Sequence, residues 1–252
     1  MDTEFLLNAD LDGNSFTFAG NEIGILLIHG FTATTTEVRL LANNLTKQGY
    51  TIHAPLLRGH GTSPDELNKT TYHNWIENVE EAYSYLHQKC PTIFVAGESM
   101  GALLSLNLAM KHNEISGIIC YSPAILAHHL WVSLLIRYFK SEIPKTGLSD
   151  DLPWKGYKVN PSRASAELFK LQNKVKKDLI KIQQPVCVFI GGKDIRISPK
   201  SGDYILDHIG SSLKEIHVFE NSPHCMILAQ DLPDIAEMTI AFIQNNSKSN
   251  AS

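Results

Sequence analysis

The stretch from Thr92 to Met110 constrains this chain more than any other. Thr92-Ile-Phe-Val-Ala96 is a short β-branched and apolar run and reads as a buried strand. Residues 102–110, rich in Ala, Leu and Met, read as a buried helix. Between them lies Gly97-Glu-Ser-Met-Gly101, a match to G-x-S-x-G. A strand that passes into a helix with almost no loop forces its central residue into a strained conformation. A side chain on either flank would collide with the neighbouring strand or helix, hence glycine two before and two after. Such an elbow lifts the Ser99 hydroxyl clear of the sheet. The helix behind it offers free backbone N–H groups, Met100 among them, to a developing oxyanion. The pentapeptide alone is weak, since glycine-flanked serines also occur at ordinary turns. The strand before it and the helix after it give it meaning.

The rest of the chain repeats that strand–helix rhythm. Ile23 to Ile28 is fully apolar and reads as a central parallel strand buried on both faces. His29-Gly-Phe-Thr32 follows, then a helical pattern from Thr36 that stops at Gly49. Further strands are expected at 50–54, 117–121, 185–190 and 214–220, and helices at 72–87, about 200–208 and 233–244. Residues 5–8 and 15–18 read as an N-terminal hairpin around Asp10-Leu-Asp-Gly13, and 245–252 as a frayed polar tail. Between about 122 and 184 the rhythm breaks. Leu126, Leu130, Trp131, Leu134, Leu135 and Tyr138 recur at helical spacing, 143–154 is loop-like, and 164–182 is helical again. The expected architecture is therefore α/β: a mostly parallel sheet flanked by helices, with a core at 1–121 and 185–252 and a mostly helical cap inserted at 122–184.

In such sheets working groups collect at the carboxyl ends of strands. A serine hydroxyl needs a base, and the base an orienting acid, in the chain order Ser, acid, His. Three histidines lie beyond the cap. His208 falls in a helix pattern and His217 in a strand pattern, while His224 sits in the loop after the last strand and is the candidate base. Asp194, which follows the strand at 185–190 after Gly191-Gly-Lys193, is the candidate acid; Asp203, Asp207 and Glu220 are weaker rivals. The loop after Ile28 should supply a second oxyanion donor, the Phe31 N–H, with Gly30 permitting the backbone turn. His29 is expected to fix that loop, and with Gly30 to border the substrate. Arg58-Gly-His-Gly61 reads as a loop held by its own side chains, and Glu98 as a neighbour pointing away from the nucleophile. Histidines 128 and 129 are adjacent, so on a helix they face different directions and make a poor metal pair.

Composition narrows the class. The chain has 252 residues, 43% hydrophobic and 19% charged, which suits a globular domain with a sizeable core. A net charge of −4 without a basic block beyond Lys174-Val-Lys-Lys177 argues against nucleic acid. The N-terminus lacks a basic, then apolar, signal pattern, and no apolar run has the length of a membrane span. Four scattered cysteines, without CxxC spacing, read as reduced thiols in a cytoplasmic protein.

Taken together, His29-Gly-Phe31 after a strand, Arg58-Gly-His-Gly61, Gly97-Glu-Ser-Met-Gly101, Asp194 and Ser222-Pro-His224 resemble the α/β-hydrolase superfamily. Leu26-Leu-Ile-His-Gly-Phe-Thr32, with Val38-Arg39 and Gly59-His-Gly61, is most similar to the small bacterial carboxylesterases and monoacylglycerol lipases. The resemblance spans nearly the whole chain except the cap. It implies a Ser99–Asp194–His224 triad, an oxyanion hole of the Phe31 and Met100 amides, and ester hydrolysis through an acyl-enzyme with no cofactor and no metal. The partner it implies is a small-molecule ester. The apolar side of 125–139, including Leu126 and Trp131, suggests an apolar chain on that ester. Feruloyl-type, thioester or lactone substrates, or ligand binding with vestigial turnover, are the alternatives. Oligomeric state is not legible.

Overall fold

A computed structural model describes residues 4–146 and 152–247. Its strands are β1 Leu6–Leu7, β2 Phe16–Phe18, β3 Ile23–Ile28, β4 Thr51–Ala54, β5 Thr92–Glu98, β6 Gly117–Tyr121, β7 Glu142–Pro144, β8 Gly156–Tyr157, β9 Val159–Pro161, β10 Val186–Gly191 and β11 Lys214–Phe219. Its α-helices are α1 Thr36–Thr46, α2 Pro64–Asn68, α3 Tyr72–His87, α4 Met100–Ala109, α5 Ser133–Ile136, α6 Ser162–Asp178, α7 Ser201–His208 and α8 Leu232–Ser247. Seven strands form one sheet in the order β11-β10-β6-β5-β3-β4-β2, all parallel except β2.

The apolar runs explain this sheet. Side chains alternate across a strand, so a run apolar at every position needs cover on both faces. Leu26, Val95, Ile118 and Val188 pack into one apolar cluster with residues of α3, α4, α6 and α7. Ile25, Phe94, Ile119 and Phe189 pack into the other with α1 and α8. Each fully buried Leu or Ile contributes on the order of 1.5–3 kcal/mol. Every residue of α4 is buried, as expected for a helix with no polar face. The start of α3 is fixed by Asn74, whose side chain accepts the Thr71 N–H at 3.0 Å.

Three expectations are corrected. The N-terminal segments do not form a hairpin. β1 pairs antiparallel with β8, about 150 residues away, and β2 pairs antiparallel with β4 at the sheet edge. Two- and three-residue strands carry too little pattern to announce their partners. The inserted region is also less helical than its spacing suggests. His129 adopts a left-handed conformation (φ 52°) that breaks the phase, leaving 3₁₀ turns at Ala124–Leu126 and Leu130–Val132 and the four-residue α5. β7 and β9 pair antiparallel within the insertion, and β7 begins the stretch expected to be a loop; residues 147–151 of that stretch lie outside the described residues. Finally, α8 runs on to Ser247, and the end of the expected frayed tail, 248–252, lies outside the described residues.

The insertion is not a detached layer. Leu171, Val175 and Leu179, in and just after α6, are fully buried in the same cluster as α3 and α4. The fully buried Tyr157 donates its hydroxyl to the Gly59 carbonyl at 2.7 Å.

Candidate active site

Ser99 sits between β5 and α4 with φ 57° and ψ −109°. Positive φ is costly for any residue with a Cβ, and it persists only where the surroundings fix it. Here the Ser99 N–H donates to the Tyr121 carbonyl at 2.9 Å, and the Ser99 carbonyl accepts the Ala124 N–H at 3.2 Å. The flanking glycines are needed for space. A Cβ at Gly101 would lie 2.0 Å from the Ile28 carbonyl oxygen, and one at Gly97 would lie 2.3 Å from the Gly101 carbonyl carbon.

His224 reaches this serine from the loop after β11. Its Nε2 lies 3.1 Å from Ser99 Oγ, and its Nδ1 lies 2.6 Å from Asp194 Oδ2. Gly191, at the end of β10, lets that loop come close: a Cβ there would meet the Pro223 carbonyl at 2.6 Å. The other Asp194 oxygen accepts the Arg196 and Ile197 amides at 2.8 and 2.9 Å. Burial pushes the Asp194 carboxyl up, but the His224 hydrogen bond and charge, with those two amides, hold it below its ordinary value. An ionised aspartate beside Nδ1 keeps the proton on that nitrogen and leaves Nε2 as the acceptor facing the hydroxyl.

Phe31 and Met100 flank the serine, and neither backbone N–H has a hydrogen-bond partner among the described residues. The Gly30 N–H, by contrast, is taken by Glu37 Oε2 at 2.5 Å. His29 is fully buried behind the loop. Its Nδ1–H donates to the Gly30 carbonyl at 2.9 Å, and its Nε2 accepts the Leu57 N–H at 3.1 Å. Burial pushes its pKa down to about 4, which keeps the ring neutral. A bond to the Gly30 carbonyl orients and polarises the peptide whose N–H belongs to Phe31.

The expectation for His29 as a substrate contact is thereby corrected: it holds the loop and does not reach the cavity wall. His60 packs edge-on to His29, Phe31 and Trp75, and the Arg58 carbonyl accepts the Trp75 indole N–H at 3.2 Å. The 58–61 loop is thus held by His60 and by the backbone of Arg58.

A cavity of about 610 Å³ opens over Ser99 and His224 beneath the insertion. Gly30 and Phe31 line it, together with Leu130, Val132, Ile136 and Leu168. Leu126 and Trp131 do not. Leu126 packs against the core, and Trp131 is 56% exposed. Leu126 belongs to the 3₁₀ turn before His129 and Trp131 to the one after it, and His128, His129 and Leu130 lie on the wall. Glu37, Lys145, Arg196 and Cys225 also line the cavity, which their sequence patterns do not announce. Arg196 carried a signal, since it lies two residues beyond Asp194; Lys145 lies in the divergent insertion and carried none. The Cys225 thiol is pushed up by burial, so it stays protonated and a poor nucleophile.

Residues 22–165 match the serine aminopeptidase S33 family. Over 230 residues the chain is 37% identical to the thermostable monoacylglycerol lipase of Bacillus sp. (strain H-257), covering 89% of this chain and 92% of that one. It is 28% identical to a carboxylesterase of Bacillus subtilis (strain 168), covering 91% and 95%. Among solved structures, a metagenome-derived lipolytic enzyme superposes with a TM-score of 0.88 at 29% identity, covering 92% and 98%. The monoacylglycerol lipase of Paleococcus ferrophilus shares the fold, with a TM-score of 0.78 at 16% identity over 94% and 100%.

Proposed function

The chain belongs to the serine aminopeptidase S33 family and is a carboxylic ester hydrolase of the α/β-hydrolase fold, and on that premise we propose that Ser99, His224 and Asp194 carry the reaction on monoacylglycerols and similar esters of apolar acids. Ser99 Oγ attacks the ester carbonyl carbon while His224 Nε2 takes the hydroxyl proton. The carbonyl oxygen becomes an oxyanion between the Phe31 and Met100 N–H groups, and each such donor is worth about 2.7–4 kcal/mol in the transition state. The C–O bond to the alcohol breaks as the imidazolium returns its proton to the departing oxygen. Water then attacks the acyl-enzyme, giving its proton to His224, and the carboxylate leaves with Ser99 restored.

The observation that carries this reading is the unbroken path from Asp194 through His224 to the Ser99 hydroxyl, 2.6 and 3.1 Å, at the floor of a cavity with apolar walls. Those walls, Leu130, Val132, Ile136 and Leu168 among them, support an apolar acyl chain. We assign the cap to residues 122–184, since it supplies most of the wall opposite Ser99. No described helix is long and apolar enough to cross a membrane. Four unpaired thiols, three of them buried, support a reducing, cytoplasmic setting.

Ser99→Ala tests the assignment. Monoacylglycerol turnover and fluorophosphonate labelling should both vanish while the circular dichroism spectrum is kept. Activity above about one part in a thousand would point to another nucleophile. Faster turnover of feruloyl esters, thioesters or lactones than of monoacylglycerols would redirect the substrate while leaving the triad standing.

A further inference from the structure

The apolar part of the cavity has its occupant in the reading above, but its polar part holds more positive charge than a neutral alcohol needs. Lys145 and Arg196 both line it, and Glu37 is the one carboxyl on the wall among the described residues. Neither cation forms a salt bridge with a carboxylate among the described residues. Lys145 donates to the Thr32 hydroxyl and lies 5.1 Å over the Trp154 ring. Glu37 is committed to the Gly30 N–H and burial pushes its carboxyl up; even fully ionised, it supplies one negative charge against two positive ones. The Lys145 ammonium is enclosed, and burial together with the nearby Arg196 charge brings its pKa down to about 7. Two cations on one cavity wall repel, and an anionic oxygen group between them would relieve that repulsion while accepting charge-assisted hydrogen bonds from both.

We propose that this chain favours esters whose alcohol portion carries an anionic group, phosphate or carboxylate, held between Lys145 and Arg196. The proposal rests on the ester-hydrolase reading of the same cavity. It assigns the acyl chain to the apolar wall and the charged alcohol to the wall beside Thr32, Glu37 and Trp154. A neutral glycerol can hydrogen-bond there, yet it brings no countercharge to the two cations.

The test compares three octanoyl esters, short enough to remain monomeric: 1-octanoylglycerol, 1-octanoylglycerol 3-phosphate and the octanoyl ester of lactate. With the wild-type protein, kcat/KM for at least one anionic ester should exceed that for the neutral glycerol ester by fivefold or more. Preference for the phosphate, the carboxylate or both identifies the group. In Lys145→Met and Arg196→Gln the anionic-to-neutral ratio should fall at least tenfold, and Lys145→Arg should retain most of it. The inference is overturned if neither anionic ester is preferred, or if the ratio survives in both charge-removing variants. Turnover across the three esters separates the two failures, because its complete absence for all of them in the wild-type protein would sink the ester-hydrolase reading itself.

Discussion

Asp194 and Glu98 are both buried carboxyls close to the same serine, yet their surroundings drive them in opposite directions. Asp194 has His224 and two backbone amides, and it is held ionised. Glu98 is fully buried, and neither of its side-chain oxygens has a partner among the described residues. The Met226 amide that faces it is committed to the His224 carbonyl at 2.9 Å. Burial, with the charges of Glu37 and Asp194, pushes Glu98 well above its ordinary value of 4.5. A carboxyl raised in the folded state contributes stability below that ordinary value and loses it as pH rises toward the folded pKa. Glu98→Gln removes this dependence. Its melting temperature relative to the wild type should therefore rise between pH 5 and pH 8.5, and a gap that stays constant across that range would contradict the account. At this scale the sequence was informative wherever chemistry demands one residue type. That Ser99, Asp194 and His224 would meet was legible from motif and strand-end position. Glu37 and Lys145 were not, because nothing in their local pattern says that a helix start and an inserted loop meet at one wall.

The elements around the serine depend on close backbone approach. β3 and α4 touch where Gly101 faces the Ile28 carbonyl, so even a methyl group must push them apart. Gly101→Ala should cost more than the about 1–3 kcal/mol of ordinary overpacking and shift the thermal midpoint strongly downward. Gly49→Ala, where a Cβ meets nothing closer than 3.7 Å but φ is +83°, carries only the backbone penalty and should cost about 1 kcal/mol. Equal losses at the two positions, by denaturant titration, would argue against the packing explanation. Long apolar runs such as Ile23–Ile28 were readable because burial on both faces leaves one assignment. β1, β7, β8 and β9 were not, since each is two or three residues long, and β1 and β8 find each other only from opposite parts of the chain. The helical spacing of Leu126 and Trp131 misled because one left-handed residue, His129, resets the phase.

Across the whole molecule, the insertion and the α/β core share one apolar cluster, through Ala124, Leu171, Val175 and Leu179 on one side and Leu103 and Leu106 of α4 and Val188 of β10 on the other. The chain should therefore unfold in a single cooperative transition by both fluorescence and circular dichroism; two separate transitions would mean that the insertion is an independent unit. The same joining explains how segments with weak patterns of their own come to roof the cavity over Ser99. The central claim is that the hydroxyl of Ser99, activated through His224, accepts the acyl group. Rapid acid quenching after mixing the protein with p-nitrophenyl octanoate, followed by intact-mass and peptide mass spectrometry, tests it most directly. The account predicts one octanoyl group per chain, carried on the peptide containing Ser99 and absent from Ser99→Ala. An octanoyl group carried on any other residue, or full turnover by Ser99→Ala, would contradict it.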